Sequence, residues 1–316
     1  MVLKKELYAF VPYIILSQKR LDKILSNLFT IYSRSCLKKW ILMNRVYVDE
    51  KICNQPDKKL LGGEKITIYP IIEETISNLP EKIYLNIIYE DNHLMIINKP
   101  DGLVVHPGAG NKKGTLLNGL LYHNSNAKNL PRSGVVHRLD KNTSGLMVVA
   151  KTIFSYNKLV RLFKKKRIIR RYQAIVKGHL LSGGTINYPI MRHSSKRTCM
   201  MTHLLGKKAI THYNIINRLK YHTHISLQLQ TGRTHQIRVH MLHIGYPLVG
   251  DPLYGGINYK FNQIVKNKKF FIDDTFKRQA LHANYIEFLH PVTKKLMHWE
   301  ISLPEDIKNL LLRLNQ

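Results

Sequence analysis

Apolar positions in the first quarter of the chain fall at helical and then at strand spacing. Ile24, Leu25 and Leu28 line the inner face of a first predicted helix; Leu37, Trp40 and Ile41 line that of a second, with Ser33 as its predicted N-cap. Arg34 and Lys38 stand four residues apart and so project from one side of the second helix. Arg45-Val46-Tyr47-Val48 then alternates as a strand, Asp49-Glu50 supplies a tight turn, and Gly62-Gly63 leads into another strand, Lys65–Ile68. Two short helices followed by strands predict a compact binding module with basic side chains on its second helix. It offers no chemistry of its own, for it sets no nucleophile beside a base. Ahead of it, Tyr8–Leu16 is apolar but broken by Pro12, and far short of the about 20 residues that cross a bilayer. A strand is the predicted reading there.

Ile71–Glu81 is polar, locally acidic and closed by Pro80, the pattern of a linker. Short β-rich segments follow at Ile83–Tyr89, Leu94–Asn98, Leu146–Ala150, Arg171–Val176, Ile225–Leu229 and Tyr285–Phe288. Helical spacing lies between them at Leu116–His123, Asn157–Lys165 and Thr234–His243, and closes the chain at Leu303–Leu314 with Leu310, Leu311 and Leu314 inward. Irregular alternation of this kind predicts an α+β fold with a mixed sheet rather than a regular βαβ array.

Composition adds a partner to this picture. With 44% hydrophobic residues among 316, the chain can bury a core, yet it carries a formal charge of +30. The excess is uneven: residues 1–75 hold 13 basic and 8 acidic side chains, whereas Gly102–Gly250 holds 25 Lys+Arg and a single carboxylate, Asp140. A self-repelling excess of that size calls for a polyanion, nucleic acid first and an acidic membrane surface second. The basic residues are interleaved with apolar ones at folded-domain spacing, not set on an amphipathic helix, which disfavours the membrane. Three scattered cysteines (Cys36, Cys53, Cys199), with no CxxC or Cys/His ligand spacing, exclude a disulfide framework and a structural zinc. A reducing compartment, the cytoplasm, is the expected location.

Val135–Leu146 is the most informative stretch. Apolar residues lead into a cluster of turn formers and out again as a strand, so Asp140 sits on a loop presented by rigid flanks. An aspartate in such a turn most often hydrogen-bonds the following backbone amides. Surrounding cations shift the balance here, because they hold a carboxylate ionised, as a nucleophile requires and a general acid does not. Paired-carboxylate glycosidase chemistry and a Mg²⁺ site both lack their second acid in this interval. In Thr231–Met241, Arg238 is a candidate ion-pair partner for Asp140. His235, His240 and His243 there lack an i, i+4 ligand pair and a neighbouring acid, and are read as core or RNA-contacting. Lys164, Lys165, Lys166 and Arg167 lead through Arg170 and Arg171 to Tyr172, which suits a groove that takes phosphates on the cations and a base on the ring. Val104–Gly110 is Gly-rich without the context of a nucleoside-triphosphate loop, and is predicted to rim a cleft.

HRLDKNTSGLMVVAK (His137–Lys151) resembles the catalytic motif of the RluA-type pseudouridine synthases. Ile97–Gly110, Arg170–Gly178, Thr231–Met241, Tyr246–Gly256 and Arg278–Ala283 are similar to the other blocks of that family, in the family's order. RLDKIL…SRSCLKKWILMNRVYVD (Arg20–Asp49) resembles an S4 RNA-binding domain, with Asn44 where that pattern usually has Gly and Asp49-Glu50 in place of its usual Asn-Gly turn. The resemblance implies an N-terminal extension (1–17), an S4 module (18–75), a linker (76–82) and a catalytic domain (83–316) built on a mixed, mostly antiparallel sheet.

It also implies an activity: isomerisation of uridine to pseudouridine within RNA, with no cofactor and no metal. Asp140 would be the catalytic carboxylate; whether it attacks the sugar C1′ or the base C6, or assists glycal formation, stays open. By the same resemblance Arg238 pairs with Asp140, Tyr172 stacks on the target base, Leu281 packs on the base's other side, and Arg138 fills the gap left by the flipped nucleotide. Arg34, Lys38, Arg45, Lys164, Lys165, Lys166, Arg167 and Arg233 would contact RNA. The implied partner is 23S ribosomal RNA or the large-subunit precursor, at the stem-loop facing the subunit interface (helix 69), with the protein acting as a monomer. A paralogous synthase working at another ribosomal RNA site and a non-catalytic ribosome-assembly factor are the competing readings.

Overall fold

A computed structural model describes residues 6–13, 19–29, 32, 34–70, 79–108, 110–196, 198–255 and 276–316. The predicted cap at Ser33 and most of the predicted linker lie outside these residues. The chain divides into two units, Met1–Ile76 and Ser77–Gln316.

In the first unit, strand β1 (Leu7–Phe10) precedes helices α1 (Leu21–Leu28) and α2 (Arg34–Leu42), then strands β2 (Val46–Val48), β3 (Lys51–Ile52) and β4 (Lys65–Ile68). The strands form one antiparallel sheet in the order β1-β4-β2-β3. Ile24 and Leu25 of α1 and Leu37, Trp40 and Ile41 of α2 are buried against Val46, Ile66 and Ile68, the faces that the apolar spacing predicts. Asn44 (φ 58°), Asp49 (φ 47°) and Glu50 (φ 65°) all take left-handed backbone, the conformation glycine adopts without strain. The central pair Asp49-Glu50 thereby makes the reverse turn that suits a twisted two-strand hairpin. Part of the strain is offset by the Asp49 carboxylate, which accepts from the Lys65 amide at 2.8 Å.

The second unit is α+β, organised on a nine-stranded sheet. Its strands are β5 (Ile87–Glu90), β6 (Leu94–Lys99), β7 (Ser144–Ala150), β8 (Ile169–Lys177), β9 (Gly184–Asn187), β12 (Ile210–Arg218), β13 (His222–Leu229), β14 (Leu281–Leu289) and β15 (Leu296–Glu300); β10 (Ile190–Arg192) and β11 (Met200–Thr202) form a separate hairpin. The order is β5-β6-β7-β14-β8-β13-β12-β9, with β15 also on β14. Every pairing is antiparallel except β7 with β14. Both faces of the middle strands are apolar, as a sheet covered on both sides requires. Met95, Ile97, Met147 and Val149 pack beneath helices α3 (Leu116–His123) and α5 (Gln236–His243); Leu94, Ile96, Leu146 and Val148 pack beneath α4 (Ile153–Lys164). Helix α6 (Glu305–Asn315) closes a smaller cluster through Ile307 and Leu310.

Three predicted elements shift for identifiable reasons. The strand expected from Ile83 starts at Ile87, because Ile83 and Leu85 pack on Gly119 of α3 instead. Helix α4 starts four residues early, where the Thr152 hydroxyl accepts from the Ser155 amide at 3.2 Å. Helix α5 starts two residues late, because His235 takes left-handed backbone (φ 55°, ψ 21°) and cannot continue a helical turn.

Candidate active site

A cleft of about 490 Å³ opens at the middle of the sheet on the α5 side. Arg138 and Asp140 reach it from the loop before β7, Arg170 and Tyr172 from β8, His235 and Arg238 from the start of α5, and Leu281 from the start of β14. These residues are distant in sequence, and the pairing of β8 with β14 and the packing of α5 bring them together.

The Asp140 loop is fixed by its own turn and by side chains from elsewhere. The backbone carbonyl of Asp140 accepts from the Thr143 amide at 3.1 Å, which closes the turn without the carboxylate. Lys99, fully buried at the end of β6, donates to the carbonyls of Pro100 (2.5 Å), Leu103 (3.0 Å) and Lys141 (3.0 Å). Burial pushes its ammonium down to about 7, against the pull of Asp101 and Asp140. Arg278 donates to the Asn142 carbonyl at 3.2 Å while Asp306 grips its other nitrogens, and Gln279 donates to the Thr143 hydroxyl at 3.0 Å. Beyond the loop, Gly145 (φ 119°) lets β7 approach β14 so closely that an added Cβ would stand 2.3 Å from the Ala283 carbonyl oxygen.

Arg238 donates through Nη1 to Asp140 Oδ2 at 3.0 Å, the pairing the sequence resemblance implies. A second carboxylate corrects that simple pair. Asp251 accepts from Arg238 Nε at 2.7 Å and Nη2 at 2.8 Å, and its side chain is fully buried. Burial by itself would weaken the Arg238 charge, but the Asp251 hydrogen bonds and both carboxylates raise its pKa above the ordinary value. The interval that holds one carboxylate ends at Gly250, one residue before Asp251. Asp251 also accepts from the Leu253 and Tyr254 amides, at 2.9 and 3.1 Å, so backbone and arginine fix it together.

His235, His240 and His243 lie close in sequence but in separate surroundings. His240 is a core histidine, held between the Thr211 hydroxyl and the Tyr188 carbonyl at 2.9 Å each. His243 meets the Thr202 hydroxyl at 3.1 Å. His235 lies in the cleft with Nε2 3.9 Å from Asp140 Oδ1, so the acid absent from its sequence neighbourhood is present in space. Burial lowers its pKa further than Asp140 raises it, which leaves the ring neutral at neutral pH.

The remaining predicted residues divide. Tyr172 is 5% exposed and belongs to the core, yet it lines the cleft; burial raises the pKa of its phenol. Leu281 is buried and lines the cleft as well. Arg138 is exposed and borders both this cleft and a neighbouring cavity of about 520 Å³ that includes His106 and Pro107 of the Gly-rich loop. Lys164, Lys166 and Arg233 line the cleft, whereas Lys165 and Arg167 do not: the chain reverses at Lys166 (φ 57°) directly after α4. In the first unit, Lys38 is exposed and Arg45 half-buried. Arg34 is not a free cation, for it donates to the buried Asp22 at 2.7 and 3.1 Å. Arg34 thus ties α2 to α1 through the Asp22 carboxylate, while about half of its side chain stays exposed, at 51%.

A mixed, mostly antiparallel sheet that presents an arginine-held carboxylate in a basic cleft defines an enzyme for a polyanionic substrate. The chain belongs to the RNA pseudouridylate synthase family, whose model matches residues 93–243, and it carries an S4 domain at residues 19–66. It is therefore an RNA pseudouridine synthase, an isomerase. It is 65% identical over 313 residues to the ribosomal large subunit pseudouridine synthase D of Buchnera aphidicola subsp. Schizaphis graminum, across 99% of either chain. Identity to the protein of the same name from Escherichia coli K12 is 48% over 295 residues, 93% of this chain and 90% of that one. Among solved structures, human RNA pseudouridylate synthase domain containing 4 superposes with a TM-score of 0.55 at 25% identity, over 72% of this chain and 92% of that one.

Proposed function

We propose that this synthase converts specific uridines of 23S ribosomal RNA to pseudouridine, at the stem-loop of the large subunit that faces the subunit interface (helix 69). The names of the relatives similar across nearly the whole chain support the large-subunit substrate. The observation that carries the chemistry is the Asp140 carboxylate at the mouth of a buried Arg238–Asp251 pair, inside a basic cleft.

The reaction breaks the N1–C1′ bond, rotates the uracil, and joins C5 to C1′; the proton leaves C5 and one is gained at N1. All atoms are conserved, so neither oxidant nor co-substrate is required. A duplex or stacked loop hides C1′ and C6, and the target nucleotide has to swing out at a cost of about a few kcal/mol. In this reading the exposed Arg138 guanidinium takes the vacated position. The flipped base lies between the Tyr172 ring and the Leu281 side chain, and Asp140 meets it at C1′ or C6 or draws the proton for glycal formation. Arg238 holds the carboxylate rotamer in each case. Lys164, Lys166 and Arg233 neutralise the phosphates beside the cleft, and the S4 module, with Lys38 and Arg45, anchors neighbouring RNA. We place the enzyme in the cytoplasm as a monomer.

The test is to incubate unmodified large-subunit RNA, free and as precursor particle, with the protein and map pseudouridines at nucleotide resolution. Product in the helix 69 loop is expected. Product elsewhere in the RNA would identify a paralogue with another site, and tight binding without product would identify an assembly factor.

A further inference from the structure

The Tyr254 hydroxyl accepts from the Met200 amide at 2.8 Å and lies 2.8 Å from His235 Nδ1. Burial raises the Tyr254 phenol to about 12, so it keeps its proton. With the Met200 amide on one lone pair, the phenol proton is free to be donated to His235 Nδ1, which then accepts. A neutral imidazole that accepts at Nδ1 carries its hydrogen on Nε2. Nε2 is the atom that faces Asp140 Oδ1, at 3.9 Å.

The support behind this ring is rigid. Tyr254 is 3% exposed, meets the His235 ring edge-on at 5.7 Å, lies under the Arg238 guanidinium at 4.9 Å, and donates its amide to Asp251. His235 itself is held in left-handed backbone (φ 55°), a conformation uncommon for residues with a β-carbon. Strain of this kind persists where the surroundings over-determine a conformation, and it clusters at functional sites. The two oxygens of Asp140 consequently face different groups: Oδ2 is bonded to Arg238, and Oδ1 looks at the Nε2–H across a gap wider than a hydrogen bond.

We propose that His235 is a positioning residue for the reacting carboxylate: Tyr254 fixes its Nε2–H tautomer, and that hydrogen sets the rotation of Asp140 so that Oδ1 is turned to the ribosyl group. The inference rests on the reading of Asp140 as the reacting carboxylate. It assigns Tyr254, through His235, a part in the rate of the chemical step and none in RNA affinity. The 3.9 Å gap to Oδ1 closes to a hydrogen bond as the carboxylate adjusts to substrate, and that bond stabilises the charge that returns to Asp140 at the end of the turnover.

Nitrogen-15 spectra of the imidazoles in the free wild-type protein read the tautomer directly, with His235→Asn for assignment. A protonated Nε2 is expected, and a protonated Nδ1 overturns the proposal. Steady-state pseudouridine formation gives the second arm. His235→Asn, which tolerates the backbone, should lower kcat by about tenfold to a hundredfold with KM for RNA unchanged, the scale of a misplaced reacting group. His235→Gln, whose amide nitrogen reaches toward the position of Nε2, should recover most of that loss. Tyr254→Phe should also lower kcat, and the double variant should be no worse than His235→Asn, because the two act as one relay. Full activity of His235→Asn, or additive losses carried by KM and thermal stability, would overturn the proposal and leave a purely structural histidine. Asp140→Asn in the same assay separates the two claims. If it stays active, the reading of Asp140 fails; if it is inactive while His235→Asn is normal, this inference alone fails.

Discussion

Asp251 grips Arg238 through two guanidinium nitrogens, at 2.7 and 2.8 Å, and thereby aims the third at Asp140. A planar fork held on one side by a fully buried carboxylate cannot rotate, so Arg238 presents Nη1 to Asp140 in one direction. The arginine acts as a bracket between a structural acid and a candidate reacting one.

Removing the structural acid should therefore harm both stability and rate. Asp251→Asn leaves the buried Arg238 without its compensating charge, and the folded state should lose about 3 kcal/mol, the scale for breaking a buried ion pair. The freed guanidinium should also turn fully onto Asp140 and lower kcat. Urea unfolding and pseudouridine formation on the same variant check the two effects; a variant with wild-type midpoint and rate would contradict the bracket.

The close passage of β7 against β14 places the Asp140 loop, and Gly145 makes it possible. Gly145→Ala should cost about 2 kcal/mol or more, since its Cβ would meet the Ala283 carbonyl oxygen at 2.3 Å on backbone with φ 119°. Gly102→Ala is the control: its φ of 76° is also left-handed but nothing lies within 4 Å, so it should cost about 1 kcal/mol from backbone alone. Equal urea midpoints for the two variants would remove the steric argument.

Acid should weaken the catalytic unit through buried neutral histidines. Burial and a nearby arginine lower His137 to about 3 and His282 to about 4. In the unfolded chain both titrate at about 6.5. Between these values the unfolded state binds more protons, so stability should fall as pH drops from about 6.5 toward 4 and be insensitive to these groups above that window. His137 Nε2 accepts from the Val148 amide at 3.0 Å, a hydrogen bond that protonation breaks. His137→Gln supplies an acceptor that gains no proton, and should flatten the urea midpoint between pH 7 and pH 5.

The basic rim should act through counterion release. Lys164→Ala and Lys166→Ala should each reduce the log–log salt slope of RNA binding by about 0.7 to 0.9, the value per neutralised phosphate. Rates at saturating RNA should hold. Filter binding across a potassium chloride series checks this, and unchanged slopes would place the phosphates elsewhere.

Much of this was legible in the residues. The helix faces of the first unit, the mixed sheet and the Asp140 loop follow from local spacing, and the Asp140–Arg238 pairing from the family that two contiguous motifs resemble. Asp251 and Lys99 do not stand out in the sequence, and His235 stands out only as a core or RNA-contacting histidine, for different reasons. Asp251 lies one residue past the interval in which Asp140 is the single carboxylate, and its role depends on a fold that brings α5 beside the following turn. His235 has no acid near it in sequence, and its meaning comes from Tyr254 and Asp140 across space. Lys99 reads as one more surface cation until burial shows three carbonyls around it. Helical spacing shows the side from which Arg34 projects, but not the ion pair it makes there with Asp22.

The central claim is that Asp140 carries the chemistry while the basic cleft carries the binding, and Asp140→Asn tests it most directly. Asparagine keeps the size of the side chain and removes the charge. RNA affinity of this variant should stay within a few-fold of wild type at fixed salt, with no pseudouridine detected in a single-turnover assay under enzyme excess. Accumulation of pseudouridine by Asp140→Asn at a rate near that of the wild-type protein would contradict the account.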